Sequence, residues 1–395
     1  MALTEKGKLA LHYIQQFFPS KKFSAQELSD ACGEKIYAAT LNGIVGNGYL
    51  YKLGGSPVQY KAVDELNDLL QEAIKNEQSG CNNINLTKAK NAKNDEFYTR
   101  YEDVETEIMK YRKQFKGKIV YLPCDDPIEK KSAFWTFFVN NFDAFGLKKL
   151  IATHYNENGQ SYKMWIDADR NNDGYIDESD AIIQENLIGN GDFRSPECID
   201  ILNECDIVCT NPPFSLFREF FDVIMQANKL FLIICPQNAF KYKDVFPFVK
   251  EGKVWAGYSF NKTFDFIMSD DYVLTNTGYI DNQGRKHGKV ASICWMTNMI
   301  VNKRTEEIVL TKKYNSTDYP QFDNYDAINV GRVENIPCDY DGIMGVPISF
   351  LGKHNPDQFE IIGEANHGSD NQYDLFKPVV AGKELFPRIL IRRKK

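Results

Sequence analysis

A chain that runs from a short apolar strand into Asn211-Pro212-Pro213-Phe214 carries the parts needed to hold a planar amino group. The strand is Cys205-Asp206-Ile207-Val208-Cys209-Thr210, whose apolar run reads as buried. Each proline fixes its own φ near about −65° and drives the residue before it into extended backbone. Asn211 and Pro212 are therefore expected to stand stiff and extended just past the strand. The Asn211 side-chain oxygen and a nearby backbone carbonyl can accept both hydrogens of one NH₂, and Phe214 can stack on the ring that carries it. That is the arrangement methylation of an exocyclic amine requires. A Pro-Pro loop without chemistry is the plainer reading of the same four residues.

Three other segments fit a pocket for S-adenosylmethionine. Phe97, Tyr98 and Thr99 precede the first core strand, where a turn and aromatic rings could close over the methionine end. Asp125 and Asp126 end that strand, and a carboxylate there can accept from an ammonium or from ribose hydroxyls. Asp192 and Phe193 lie before the Cys205–Thr210 strand, placed to accept from an adenine amine and to pack on its ring. The cofactor is cationic at sulfur, so acidic lining is electrostatically favourable. No Gly-x-Gly-x-x-Gly follows the first strand, and a cofactor without pyrophosphate does not demand one.

A fourth constellation has the spacing of a calcium loop. Asp169, Asn171, Asp173, Asp177 and Asp180 offer oxygens at positions 1, 3, 5, 9 and 12. Tyr175 offers its carbonyl at position 7, and Gly174 fills position 6. Position 12 is Asp rather than Glu, which shortens the reach of the last ligand. A structural Ca²⁺ ordering a surface insertion is the expectation; a solvated Asx-rich turn is the alternative.

The elements that must position these residues alternate along the chain. Strands are expected at Gly117–Pro123, Leu147–Tyr155, Asp206–Cys209 and Lys229–Pro236. Helices are expected at Ser132–Phe145, Ile199–Asn203 and Phe214–Met225. Near-continuous apolar strands with helical crossovers imply an α/β fold with a doubly wound, mostly parallel sheet. Ligands on such sheets bind at the carboxyl ends of the strands. Residues 1–64 read as a separate winged helix-turn-helix-like domain. Its features are a helical pattern over Gly7–Phe18, a capping box at Ser24 and Glu27, a helix over Lys35–Gly46 and a hairpin around Gly-Gly-Ser-Pro. Such a domain serves DNA contact or protein contact. Residues 65–93 read as a linker, and 94–260 as the core with an acidic insertion near 157–188. Residues 261–395 read as the end of the core plus an irregular target-recognition region. The basic loop Asp281–Lys289 could meet phosphate or be a solvated hairpin tip.

Composition narrows the class. The 395 residues are 43% hydrophobic and 26% charged, as in ordinary globular chains, and no apolar run reaches the ~18–20 residues of a membrane span. The opening residues MALTEKGKLALHYIQQFF show no signal-peptide h-region or cleavage site, so none is expected there. The nine cysteines form no CxxC pair, and those at 205, 209, 235 and 294 sit in apolar runs, which suits reduced thiols in a cytoplasmic protein. A net charge of −7 leaves nucleic-acid binding to a local basic surface.

Several long motifs together resemble the EcoRI-type adenine-specific DNA methyltransferases. They are NDEFYT (94–99), VYLPCDDP (120–127), GNGDFRSPE (189–197), TNPPFSLFRE (210–219), YPQFDNYDAINV (319–330), DYDGIMGVPISFL (339–351) and FPRILIRRK (386–394). The resemblance covers about residues 90–395. It implies methyl transfer from S-adenosylmethionine to the exocyclic N6 amine of adenine in double-stranded DNA, on a base flipped out of the duplex. It aligns the family's catalytic corner with Asn211–Phe214, its Asp-Asp-Pro with Asp125–Pro127 and its Gly-Asp-Phe with Gly191–Phe193. A cognate restriction endonuclease is the implied companion. The first 64 residues and the acidic stretch around 165–185 lie outside it. Two alternatives remain at this point: an amino-group methyltransferase acting on RNA or a protein glutamine, and an inactive DNA-binding regulator.

Overall fold

The computed structural model describes residues 97–394 except 129–131, 157–160, 178, 181–182, 269–271, 273, 275–277 and 367–376. Within the N-terminal region it describes residues 10–62 except 12, 15–17, 19–20, 34, 47–49 and 54–56. The expected linker at 65–93 lies outside the described residues. The chain divides into two compact units, Met1–Asn82 and Asn83–Lys395.

The first unit forms a small sheet of β1 (Phe23–Ser24), β2 (Leu50–Leu53) and β3 (Gln59–Ala62) in the order β1-β3-β2, antiparallel throughout. Helix α1 (Ala25–Cys32) starts where the sequence says it should. The Ser24 hydroxyl accepts from the Glu27 N–H, and the Glu27 carboxylate accepts from the Ser24 N–H at 2.7 Å. Two of the helix's orphan donors are thereby satisfied. Gly33 ends α1 at φ 72°, a left-handed position that suits glycine. Helix α2 (Ala38–Gly46) buries Leu41 and Ile44 against Phe23, Leu28 and Tyr60. Of the helix expected at Gly7–Phe18, the described residues Ala10, Leu11, Tyr13 and Ile14 are helical.

The second unit is built on a sheet of eleven strands among the described residues. In chain order they are β4 (Phe97–Tyr98), β5 (Ile119–Leu122), β6 (Lys149–Thr153), β7 (Tyr162–Ile166), β8 (Ile183–Asn186) and β9 (Ile207–Thr210). Then come β10 (Leu230–Pro236), β11 (Trp255–Ala256), β12 (Lys262–Met268), β13 (Tyr279–Ile280) and β14 (Lys286–Thr297). The spatial order is β4-β12-β14-β10-β9-β5-β6-β7-β8, with β11 and β13 also on β14. Helices α3 (Tyr101–Ile108), α4 (Ala133–Asn140), α5 (Phe142–Phe145), α6 (Pro196–Glu204), α7 (Phe217–Gln226) and α8 (Phe246–Lys250) intervene.

The sheet is mixed, which corrects the expectation of a mostly parallel one. Only β10–β9, β9–β5 and β5–β6 pair in parallel. The β6–β7 pair is antiparallel because its connection is too short to cross over. Residues 154–161 join β6 to β7, whereas a parallel return needs about a dozen residues or more. Strands β7 and β8 fall inside the stretch read as an acidic insertion. Tyr162, Met164 and Ile166 alternate inward along β7 and extend the sheet edge. From β5 the chain passes to β6 on one side, then returns to β9 on the other. The strand order therefore reverses between β5 and β9, the point where open α/β sheets place ligands.

The region expected to be irregular also carries a sheet. β15 (Ile328–Asn329), β16 (Met344–Val346), β17 (Phe359–Ala365) and β20 (Arg388–Arg393) pair in the order β15-β16-β20-β17, beside a small β18 (Val379–Val380) and β19 (Lys383–Glu384) ladder. Its Ile328, Val346 and Ile389 share one apolar core with Phe240, Val245 and Phe246. Burying side chains of this size stabilises by about 1.5–3 kcal/mol each. Among the described residues every cysteine is free, and Cys205, Cys209, Cys235 and Cys294 are buried. No helix among them is long and apolar enough to cross a membrane.

Candidate active site at the carboxyl ends of β5 and β9

All four side chains of β9 are buried, and the strand ends directly in Asn211. Pro213 is extended at φ −55° and ψ 124°. The chain then tightens into a 3-10 turn at Phe214–Leu216, where the Leu216 N–H donates to the Pro213 carbonyl at 3.0 Å. Helix α7 follows with a strongly apolar inner face of Phe217, Phe220, Phe221 and Ile224. The expected helix from Phe214 thus starts three residues later, because the first turn winds more tightly. Asn211 is half-buried, Pro212 is buried, and Phe214 is 7% exposed. The corner is a rigid ledge rather than a loose loop.

Asp125 ties this ledge to its neighbours. Thr210 Oγ1, on the last residue of β9, donates to Asp125 Oδ2 at 2.6 Å. Ser132 Oγ donates to Asp125 Oδ1 at 2.5 Å and also caps α4 by accepting from the Phe134 N–H. One carboxylate therefore clips the ends of β5 and β9 and the start of α4 together, at the reversal of strand order. Burial pushes its pKa up to about 6, against the pull of the two hydroxyls. Both Asp125 oxygens carry protein partners, so its geometry is that of a brace. Asp126, half-buried beside it, accepts from the Ile128 N–H at 2.9 Å and from the Tyr162 hydroxyl at 2.5 Å.

The Gly191-Asp192-Phe193 turn joins the same ledge. Phe193 packs edge-on against Phe220 of α7, with ring centroids 5.1 Å apart. Asp192 is gripped by Arg194. Its Nε donates to Oδ1 at 2.9 Å, its second guanidinium nitrogen donates to Oδ2 at 2.6 Å, and the backbone N–H adds a bond to Oδ1 at 2.8 Å. The guanidinium holds the Asp192 carboxyl below the usual carboxylate range, while partial burial opposes it. Gly191 is required here for two reasons. Its φ is +78°, and a Cβ would stand 1.9 Å from the His154 carbonyl oxygen.

Phe97 and Tyr98 form β4, and Thr99 follows; the Phe97 side chain lies outside the described residues. Tyr98 pairs with Ile267, and Ile267 with His287 on β14. Pro236, at the end of β10, pairs with Ile293. Residues Lys286–Ser292 therefore run on past the carboxyl ends of the parallel strands, and β4 lies on that side, the side of the Asn211 ledge. Thr99 is buried, and its hydroxyl makes no hydrogen bond among the described residues. Tyr101 packs on Phe137 of α4, whose cap is Ser132.

The calcium-like loop is not part of this site. β7 runs antiparallel to β6, so the loop after it lies at the amino ends of the parallel strands. The Ile176 N–H donating to Asp143 of α5 at 3.1 Å agrees with that end. Its side chains serve the loop itself. Asp169 accepts from the N–H groups of Asn172 and Gly174, Asn171 from Asp173, Asp173 from Tyr175, and Asp177 from Ser179. Asp180 accepts from Arg170, Asn171 and Asp177. Among the described residues no group of three or more His, Cys, Asp or Glu stands close enough to hold a metal. The structural Ca²⁺ expected at Asp169, Asn171, Asp173, Tyr175, Asp177 and Asp180 therefore finds no support among the described residues.

Sequence reasoning missed Thr210, Ser132, Arg194 and Gln237. The last is a polar residue directly after an all-apolar strand, which is itself a signal. It is 6% exposed, its Nε2 donor has no partner among the described residues, and it follows the end of β10, the strand that pairs with β9.

The chain matches the family described as adenine-specific methyltransferase EcoRI over residues 85–394. It is 44% identical over 322 residues to the Type II methyltransferase M.EcoRI of Escherichia coli, covering 78% of this chain and 96% of that protein. It is 40% identical over 283 residues to the Type II methyltransferase M.MgeORF184P of Mycoplasma genitalium, covering 70% and 85%. To the Type II methyltransferase M.MpnI of Mycoplasma pneumoniae it is 40% identical over 282 residues, covering 70% and 84%. No solved structure matches. A ledge at the strand reversal and a family match spanning nearly all of the second unit agree: this chain belongs to the EcoRI family of adenine-specific methyltransferases.

Proposed function

We propose that this chain moves a methyl group from S-adenosylmethionine to the exocyclic N6 amine of adenine at a specific site in duplex DNA. The observation that carries the reading is the Asn211–Phe214 ledge at the β5–β9 reversal, braced through Thr210 to Asp125. The bound cofactor supplies an electrophilic methyl on a cationic sulfur. The residues that would hold it are Phe97, Tyr98 and Thr99 on one side, Asp126 beside β5, and Asp192 with Phe193 on the other. The buried Thr99 hydroxyl fits a polar ligand group, and the acidic lining fits a cation. Asp125 is assigned the brace.

Adenine's amine is a poor nucleophile because its lone pair is delocalised into the ring. The base leaves the stack at a cost of a few kcal/mol, partly offset by the Phe214 ring. The Asn211 oxygen and the Pro212 carbonyl accept the two amine hydrogens and favour a more pyramidal nitrogen. Rigid placement then supplies much of the acceleration, and no strong general base is needed.

The strand, helix pair and hairpin of residues 1–64 support a winged-helix reading. Residues 65–93 are assigned as a linker, 94–260 as the core and 261–395 as its end with the target-recognition surface. A cytoplasmic setting is proposed with a DNA substrate, and the relatives' Type II names support a companion endonuclease cutting the same site.

The test offers isotopically labelled cofactor with duplex DNA, RNA and protein acceptors, followed by digestion and mass spectrometry. Label in N6-methyladenine from DNA is the expected result. Label in RNA or glutamine would replace the acceptor. Cofactor binding without transfer would favour an inactive DNA-binding protein.

A further inference from the structure

Gln237 opens the 3-10 turn Gln237–Lys241 directly after β10. Its neighbours Pro236, Ala239 and Phe240 are buried, and Ala239 and Phe240 belong to the main apolar core. Gln237 is buried with them, and among the described residues its Nε2 donor has no hydrogen-bond partner. A leucine would fill such a place at less cost, because a buried donor left unsatisfied destabilises the fold. An orphan donor of this kind is accounted for by an acceptor that arrives with a ligand.

The place of Gln237 in the sheet says which ligand. β10 lies on one flank of β9, and β5 lies on the other. The acidic residues assigned to the cofactor stand on the β5 side. Asp126 follows β5 and accepts from Tyr162 of β7, and the turn before Asp192 packs on the His154 carbonyl just past β6. Gln237 stands on the opposite flank of the Asn211 ledge. In-line transfer across the ledge needs the methyl donor on one flank and the amine on the other. Neighbouring strands are about 4.8 Å apart, so a side chain just past β10 can reach a ring held over the end of β9. The wall beyond β10 also opens here. Pro236 pairs with Ile293 of β14, and next to Ile293 the β12–β14 register breaks in a bulge. Ala291 and Ser292 are left exposed there, Ser292 at φ 60°. Bulges of this kind gather beside active sites.

We propose that Gln237 holds the target adenine by donating from its amide nitrogen to a ring nitrogen beside the reacting amine. This rests on the reading of the chain as an adenine methyltransferase acting at the Asn211 ledge. Asn211 and Pro212 take both hydrogens of the N6 amine. The ring nitrogens that flank the amine, N1 and N7, are then acceptors in need of a donor. Stacking on Phe214 leaves the ring free to turn in its own plane. A donor in that plane stops the turning and aims the amine at the methyl.

The experiment measures single-turnover methyl transfer by the full-length protein and by Gln237→Leu. The duplex carries the methylated motif with adenine, 7-deazaadenine or 1-deazaadenine at the target position, each analogue replacing one ring nitrogen by C–H. The parent is expected to lose roughly tenfold or more on one analogue. Gln237→Leu is expected to lose about as much on adenine and nothing further on that analogue. Changes in the analogue's own reactivity act on both proteins and cancel in this comparison. The cofactor Kd of Gln237→Leu should be unchanged and its Tm equal to or above the parent's, since the orphan donor is gone. Gln237→Met, of similar volume, serves in its place if the leucine variant does not fold. Analogue-to-adenine ratios that are the same in parent and variant would overturn the contact. A weakened cofactor Kd with those ratios unchanged would overturn it in favour of a contact to the cofactor. A parent that transfers methyl to no DNA would overturn the reading of the chain, and the contact with it.

Discussion

The Asn211–Phe214 ledge and the Asp169–Asp180 loop read alike in sequence, as short polar motifs with the spacing of a known chemistry. The fold treats them differently. The ledge ends a strand buried on both faces, at the carboxyl side of the sheet where strand order reverses. The loop joins β7 to the edge strand β8 at the opposite end, and its oxygens accept hydrogen bonds from its own backbone. The fold thus sets one motif at the sheet's ligand-binding end and the other at the end away from it.

The sharpest way to break this contrast is Asn211→Ala. Removing the acceptor proposed for the reacting amine should lower kcat by roughly 10²–10³-fold, with cofactor binding retained. Single-turnover methyl transfer beside equilibrium cofactor binding checks it. Equal loss of both would mean the ledge is only structural.

Next in size is the Asp192–Arg194 pair. Asp192→Asn and Arg194→Ala should each raise the cofactor KM roughly tenfold or more, the scale of one charge-assisted hydrogen bond, with kcat little changed. Arg194→Lys should recover only part, since lysine cannot make the two-pronged grip. If Asp192→Asn acts and Arg194→Ala does not, the pair is an ordinary exposed ion pair of small value.

Asp125 sharpens the comparison through pH. Its folded pKa of about 6 lies above the unfolded value of about 3.9. Its contribution to stability is therefore fully present below about pH 4 and is lost as pH rises through about 6, by up to about 3 kcal/mol. Asp125→Asn should flatten that fall. Denaturant unfolding of both proteins from pH 4 to 7 measures it, and parallel curves would contradict the brace.

The smallest effects belong to the loop. Asp169→Ala should cost about 1 kcal/mol through the lost turn bonds and leave methyl transfer unchanged. Added Ca²⁺ or a chelator should leave Tm where it was. A Tm that rises with Ca²⁺ would restore the metal reading.

Much of the layout was legible in advance for physical reasons. The parallel block β10-β9-β5-β6 announces itself through apolar runs, and the α1 start through Ser24 and Glu27, because these signals are local. The antiparallel flanks were hidden, since Tyr162–Ile166 alternates within a polar, acidic stretch and its pairing depends on a distant edge. The Asn-Pro-Pro-Phe corner was visible because proline acts on its own neighbours. The brace was not, because Asp125 meets Thr210 only when β5 and β9 pair. Arg194 was hidden because nothing in Asp-Phe-Arg says that the arginine turns back on the aspartate.

The most direct measurement is methylation-sensitive sequencing of DNA from cells expressing this chain, beside cells expressing Asn211→Ala. The account predicts N6-methyladenine at one short motif, absent in the Asn211→Ala cells. No mark from a folded, cofactor-binding protein would contradict it, and so would a mark that survives the substitution.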